Sequence, residues 1–203
     1  MPEMGRLACA AYRIHEKATL PHMEILTHRL RLRPWHEADR AAFAQINGDP
    51  EVMRYLGGPL SRAASDARLD SYDRCWVQHG FCRWALETRA GEFLGCAGVM
   101  AWPEDHQPLG AHVEIGWRIK RSAWGHGYVT EAARAALDDV FIRVGLDEVL
   151  AYTAPDNLRS RAVMERLGLV RDPDRDFTDV TGGGKTKWLM WVARPDPPQA
   201  SAI

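Results

Sequence analysis

Several absences bound the class of this protein before any motif is considered. No apolar run approaches the roughly 20 residues that cross a bilayer, so no membrane partnership is expected. The segment Met1 to Leu20 carries Arg6, Arg13, Glu16 and Lys17 without a continuous apolar stretch, which makes it a poor secretion signal. No dense basic block occurs and the net charge is −1, so nothing calls for nucleic acid. The four cysteines, Cys9, Cys75, Cys82 and Cys96, lack metal-type spacing. Reduced thiols in a cytoplasmic protein are their simplest reading. Neither an internal repeat nor a linker divides the chain.

What is present suits one domain with tails: 203 residues, 46% of them hydrophobic. Met1 to His22 has weak periodicity and reads as an N-terminal extension, with a short packed helix as the alternative and Met23 as a second candidate start. The domain is expected over 23–194 and a Pro-rich tail over 195–203. Ile25 to Arg33 alternates, with Leu26, Leu30 and Leu32 on one side and Thr27, Arg29, Arg31 and Arg33 on the other, which predicts one half-buried strand ended by Pro34. His36 to Ile46 reads as a helix stopped at Asn47-Gly48-Asp49-Pro50. Ser61 can cap a second helix, with Leu69, Tyr72 and Trp76 on one stripe, ended by Gly80. Strands are expected at Phe81 to Glu87, Phe93 to Met100 and Ala111 to Ile119, the first two joined by a hairpin turn at Arg89 to Glu92. A helix follows over Val129 to Val144, closed by Gly145, then a strand at Glu148 to Thr153 and a helix at Leu158 to Leu167. Further strands are expected near Leu169 to Arg171 or Phe177, and at Lys187 to Ala193. An antiparallel meander feeding a strand–helix–strand unit makes a mixed α/β sheet.

One stretch organises the rest: Trp124-Gly125-His126-Gly127-Tyr128-Val129-Thr130-Glu131-Ala132. Two glycines flank one residue where a strand gives way to a helix. The first helical turn leaves its N–H groups unpaired at the positive end of the dipole. Glycines let the backbone bend and let a ligand approach, a geometry that suits a diphosphate. A glycine-punctuated turn with no ligand is the alternative. Thr181-Gly182-Gly183-Gly184-Lys185-Thr186 ends like a phosphate-binding loop, but Asp179 stands where that pattern requires glycine, and a strand rather than a helix follows. It reads as a hairpin loop.

With these pieces in order, the sequence resembles the GNAT superfamily of acetyl-CoA-dependent N-acetyltransferases, and within it the branch that acetylates the N-termini of ribosomal proteins. The matching pieces are Leu26 to Trp35, Glu114-Ile115-Gly116-Trp117-Arg118-Ile119, Trp124 to Ala132, and Asn157-Leu158-Arg159-Ser160 followed by Met164 to Leu169. The resemblance spans Met23 to Ala193. It implies a mostly antiparallel sheet with a parallel pair at the cofactor site, flanked by about four helices. Acetyl-CoA is the implied co-substrate and an amine the acceptor, with no metal. The implied acceptor is a protein N-terminal α-amino group. A small amine such as an aminoglycoside or polyamine, or a non-catalytic CoA-binding module, is the alternative, and a homodimer is left open. Two departures stand out. Ser122, beside Arg121, occupies a loop position that the family usually gives to Gln or Arg. Met164 matches the family's tyrosine acid and cannot donate a proton.

Acetyl transfer needs a neutral amine, a polarised thioester carbonyl and a proton or donor for the leaving sulfur. On the central strand His112, Glu114, Gly116 and Arg118 share one face; Val113, Ile115, Trp117 and Ile119 share the other. The resemblance places a glutamate near the incoming amine, so Glu114 is the candidate base, with a solvated carboxylate as the plain alternative and His112 as a weaker base. The motif His112-x-Glu114 lacks a third ligand for a metal. Ser160 is the candidate acid by resemblance, or a hydroxyl that serves only its helix start. Asn157 can cap that helix, and by resemblance also contacts pantetheine. Trp117 and Ile119 would meet the pantetheine arm, and Trp124, Gly125, His126, Gly127, Tyr128, Val129 and Thr130 the pyrophosphate. Trp35, Trp76 and Trp102 are candidate linings of an acceptor pocket.

Overall fold

The structure, a computed structural model, describes residues 24–106, 108–179 and 185–195. The N-terminal extension, most of the glycine loop Thr181 to Gly184 and most of the C-terminal tail lie outside the described residues.

The expected opening strand is in fact a tight hairpin. β1 (Ile25–Leu26) pairs antiparallel with β2 (Leu30–Arg33) through Ile25↔Leu32 and Leu26↔Arg31. Alternation missed the reversal because Leu30 and Leu32 are indeed buried, whereas Leu26 is 57% exposed. The turn contains no glycine. Thr27 closes it, its hydroxyl accepting from the Leu30 N–H at 3.0 Å, and the carboxylate of Glu131 holds it from outside. Arg33, expected on the polar side, is buried. It makes bidentate bonds to Asp39 at 2.7 and 2.9 Å and a third to Glu87 at 2.7 Å. Pairing with two carboxylates this way is what allows the charge inside.

Helix α1 (Asp39–Gly48) starts later than the sequence suggests, because Asp39 also accepts from the His36 N–H and gathers the preceding chain into a turn. Asp49 then caps a short helix, α2 (Pro50–Met53). Ser61 caps α3 (Arg62–His79), and Gly80 closes it, as expected. Strands β3 (Arg83–Thr88), β4 (Phe93–Trp102) and β5 (His112–Ile119) form the antiparallel meander. Helix α4 (Tyr128–Asp139) passes into a π-helical turn at Val140–Val144, closed by Gly145. Strand β6 (Val149–Thr153), helix α5 (Leu158–Arg166), and strands β7 (Val170–Arg171), β8 (Phe177–Asp179) and β9 (Thr186–Ala193) complete the chain. Both of the alternative positions offered for the penultimate strand are therefore occupied.

The sheet runs β1-β2-β3-β4-β5-β6-β9-β7, with β8 pairing β9. Every neighbouring pair is antiparallel except β5 and β6, which are parallel and in register at Glu114↔Leu150 alone. This is the mixed sheet with one parallel pair that the sequence implies. Helices α1 and α3 pack on each other and on β4, while α4 packs across β2, β4 and β5. The main core runs between these layers and includes Phe43, Tyr72, Trp84, Leu86, Ile115 and Val140. Trp35 and Trp76 belong to it. The Trp35 indole donates to the Arg83 carbonyl at 2.9 Å, and Trp76 lies edge-on to Trp84 at 4.2 Å. Neither lines the cavity beside β5. Gly95, at φ 136°, lets β4 pass close to β5, for a Cβ there would stand 2.2 Å from the Arg118 carbonyl oxygen.

Candidate active site

Beyond its single point of register, the β5–β6 pair leaves room beside the C-terminal end of β5. A cavity of about 980 Å³ lies there, and all of the expected cofactor residues line it, Trp117, Ile119, the whole segment from Trp124 to Thr130 and Asn157, together with the candidate acid Ser160. Between β5 and α4 the chain makes a 3-10 turn at Arg121–Ala123, and Trp124 anchors its end by donating from its indole to the Ile119 carbonyl at 3.1 Å. That bond takes one lone pair of the carbonyl expected to serve pantetheine.

Helix α4 begins without a side-chain cap. Gly127, at φ 76°, occupies the capping position, and Gly125 is left-handed too, at φ 79°. A β-carbon would strain both positions. The first N–H groups of α4 are thus left to the cavity wall, where they can meet an anion. Five arginines line the cavity against two glutamates, Glu51 and Glu131, so the charge of the wall also favours an anionic ligand.

Several of these residues were not singled out from the sequence. Glu131, in the first turn of α4, accepts from the Thr27 hydroxyl at 2.6 Å, the Arg29 N–H at 2.8 Å and the Arg29 Nε at 2.7 Å. Burial works to raise its pKa, but the Thr27 hydroxyl and Arg29 outweigh it and hold the carboxyl below the usual glutamate range. Arg29 also donates to the His126 carbonyl at 2.8 Å and lies 4.9 Å over the Tyr128 ring. The β1–β2 hairpin is thereby latched to the glycine turn. His126 is exposed; its Nδ1 lies 2.9 Å from the Trp124 carbonyl and its ring stacks on Tyr128. On the opposite wall Arg159 lies 4.4 Å over the Trp124 ring, and the Tyr55 hydroxyl donates to the Asp156 carbonyl at 3.2 Å. No periodicity could indicate these pairings, because Arg159 and Trp124 are 35 residues apart and the partners of Thr27, Arg29 and Tyr55 about a hundred.

Asn157 caps α5, accepting from the Ser160 N–H at 3.3 Å, while its amide donates to the Thr153 hydroxyl at 2.8 Å and to Ser160 Oγ at 3.1 Å. Ser160 Oγ therefore accepts a bond within the cavity wall and keeps its own O–H to donate. Met164 is buried in the core.

Glu114 does not line the cavity. It stands on β5 where β6 comes into register, its side chain only 13% exposed. Its carboxylate accepts from the Trp102 indole at 2.7 Å, the Tyr152 hydroxyl at 3.2 Å and the Arg83 guanidinium at 3.3 Å. It is a held anion rather than a solvated one. Trp102, the third candidate tryptophan, stacks on His106 and is engaged by that carboxylate. His112 bonds the Gly110 carbonyl through Nδ1 at 2.8 Å, and burial lowers its pKa.

A cationic cavity walled by an uncapped helix start beside a parted parallel pair can hold a diphosphate-bearing ligand. The chain belongs to the GNAT acetyltransferase family: the family's acetyltransferase (GNAT) domain matches residues 29–170. It is 33% identical over 148 residues to the uncharacterized protein YkkB of Bacillus subtilis, covering 72% of this chain and 84% of that one. An acetyltransferase from Agrobacterium tumefaciens superimposes with a TM-score of 0.74 at 27% identity, over 89% of this chain and 99% of that one. The same fold recurs in a Vibrio cholerae spermidine N-acetyltransferase solved with CoA and spermine (TM-score 0.66, 17% identity, 83% of this chain and 96% of that one). It recurs also in the ribosomal L7/L12 α-N-protein acetyltransferase RimL solved with CoA (TM-score 0.67, 16% identity, 86% and 99%). The chain is an N-acetyltransferase of the GNAT type. Among the described residues no helix is long and apolar enough to cross a membrane.

Proposed function

We propose that the protein transfers the acetyl group of acetyl-CoA to an α-amino group at a protein N-terminus, in the cytoplasm. The observation that carries the cofactor assignment is the uncapped start of α4 opening into the cationic cavity. The N–H groups from Gly125 to Thr130 take the pyrophosphate, with Arg29 and His126 beside them. Trp117, Ile119 and Asn157 flank the pantetheine arm, which leads toward Ser160. The bound co-substrate supplies an activated acyl group. The acceptor nitrogen, freed of one proton, forms the new C–N bond to the carbonyl carbon; the C–S bond breaks, and the sulfur leaves with its electron pair and takes up a proton. In sum, acetyl-CoA and an ammonium give an N-acetyl amide, CoA as its thiol and one proton.

Ser160 donates to the departing sulfur, its hydroxyl oriented by Asn157. Glu114, held as an anion by Arg83, Trp102 and Tyr152, draws the proton from the incoming ammonium through water, since it stands behind the cavity wall rather than in it. The charge of that wall favours a single α-amine over a polyamine. A chain of ammonium groups would meet five arginines and only two glutamates.

Calorimetric titration with acetyl-CoA, with ATP as control, tests the cavity; peptide N-termini and then small amines test the acceptor. Saturable acetyl-CoA binding with peptide acetylation is expected. Absence of acetyl-CoA binding would sink the reading, and spermidine turned over faster than any peptide would replace the acceptor. In Glu114→Gln, transfer should fall by about 100-fold or more with acetyl-CoA affinity kept. An unchanged rate would remove Glu114 from the mechanism.

A further inference from the structure

Besides Arg33, which has its own carboxylates, two further guanidinium groups are buried between the sheet and helices α1 and α3, and one carboxylate, Glu114, pairs with only the first of them. Arg83 pairs with Glu114. Arg118 is only 3% exposed and has no such partner. One terminal nitrogen donates to the Asn47 side-chain oxygen at 2.5 Å, and its Nε is buried without a hydrogen bond. Among the described residues no carboxylate forms an ion pair with it; the titratable groups that bear on it are the buried Tyr72 and Cys96 and the cations Arg68 and Arg83. Tyr72 of α3, buried with Arg83 5.9 Å over its ring, also has an unpartnered hydroxyl. Asn47 ends α1, so that helix's carbonyl end offers Arg118 partial negative charge, about half a unit. That offsets part of the cost of a buried cation, which is several kcal/mol when unpaired.

Arg118 also lines the cavity, as do Val52, Tyr55 and Leu56, and along β5 it alternates with Trp117 and Ile119. A polar core contact to Asn47 alone would be served as well by a neutral side chain. A buried unpaired cation at the wall of a substrate cavity is matched by an anionic group on what enters.

We infer that Arg118 is the anion-recognition point of the acceptor subsite, so that the acceptor's α-amine belongs to a molecule carrying a carboxylate a few bonds away. This rests on the acetyltransferase reading above. Two sources share the chemistry: the α-carboxylate of a free amino acid, and the acidic side chain of a residue near a peptide's N-terminus.

The test measures CoA-thiol release with matched acceptors, alanine against alaninamide and an Ala-Asp peptide amide against its Ala-Asn counterpart. The carboxylate member of one pair should be preferred by at least about tenfold in kcat/KM, and the pair that shows the preference identifies the source. Arg118→Met, assayed at saturating acetyl-CoA because Arg118 is also one of the cavity's five arginines, should erase it. Should that variant fail to fold, Arg118→Lys, which keeps the charge but loses the planar fork, should cut the preference by about tenfold. Equal rates within both pairs in the native protein, or a preference kept in a folded Arg118→Met, overturns the inference and leaves the enzyme reading standing. If acetyl-CoA does not bind, or no amine of any kind is acetylated, both fall together.

Discussion

At the scale of single residues, charge at this protein's working surfaces is held by partners distant in sequence. Glu131 is the clearest case, because one carboxylate receives Thr27 and both the backbone and side chain of Arg29. Arg29 is largely exposed, so the pair counts for less than a buried one; Glu131→Gln should cost about 1 kcal/mol of stability. The sign of its pH dependence follows from the lowered pKa. A carboxyl depressed by folding contributes fully above its unfolded value, about 4.3, and loses that contribution as pH falls through the lower folded value. The gap in Tm between wild type and Glu131→Gln should therefore be constant from pH 7 to about 5 and close below about 4. A gap that widened in acid would mean the carboxylate is not the stabilising form. Buried Asp39 is the stronger case. Asp39→Ala would leave Arg33 with Glu87 as its only carboxylate and should destabilise by about 3 kcal/mol or more, read by urea unfolding. Ser160→Ala should lower kcat by about 10-fold or more with acetyl-CoA affinity unchanged, if the hydroxyl serves the sulfur. Lost affinity with unaltered kcat would make it a wall residue only.

At the scale of elements, the strand-to-helix turn between Trp124 and Tyr128 joins two requirements. It must present open N–H groups and must keep the chain left-handed at Gly125 and Gly127. Nothing lies within 4 Å of a Cβ built at Gly125, whereas the Arg29 guanidinium stands 3.5 Å from one at Gly127. Gly125→Ala and Gly127→Ala should each cost about 1–2 kcal/mol from backbone strain. The contact at Gly127 is an ordinary van der Waals one, so backbone strain alone should act at both positions and the two variants should lose similar acetyl-CoA affinity in the same titration; a much larger loss at one of them would mean that strain is not the cause. The π-helical turn that ends α4 is placed where Arg143 bonds both Asp139 and the Gly80 carbonyl, tying the end of α4 to the end of α3.

At the scale of the whole molecule, the site exists because the single parallel pair of the sheet is in register at one point only. Strands β5 and β6 cannot be joined by a hairpin, so α4 must cross between them, and its start is thereby delivered to the place where they part. A ligand bridging the α4 and α5 ends should stabilise the folded state by mass action. Acetyl-CoA at 100 times its Kd should add about 2.7 kcal/mol, seen as a rise in Tm of several degrees, and ATP should add nothing comparable.

Local pattern was sufficient for α3, α4, α5, the meander and the glycine turn, though not for the short α2 or the start of α1. Caps at Ser61, Gly80, Gly145 and Asn157, and the apolar faces of α4 and β5, are properties of neighbouring residues, and the chain states them directly. The candidate residues from Trp117 to Ser160 that share the cavity were legible for the same reason, being carried on three short motifs. What sequence could not state is which distant groups meet. The hairpin at Thr27 to Arg29 depends on Glu131, 104 residues from Thr27, and read as one strand because a reversal preserves alternation. Arg33 and Arg118, polar by type, are buried because Asp39 and Asn47 reach them from α1. Glu114 lies behind the wall rather than within the cavity because Arg83, Trp102 and Tyr152, from three other strands, converge on it. Hydrophobic periodicity fixes which side of an element faces inward, but the pairing of charges across the interior is set only when the sheet has closed its register.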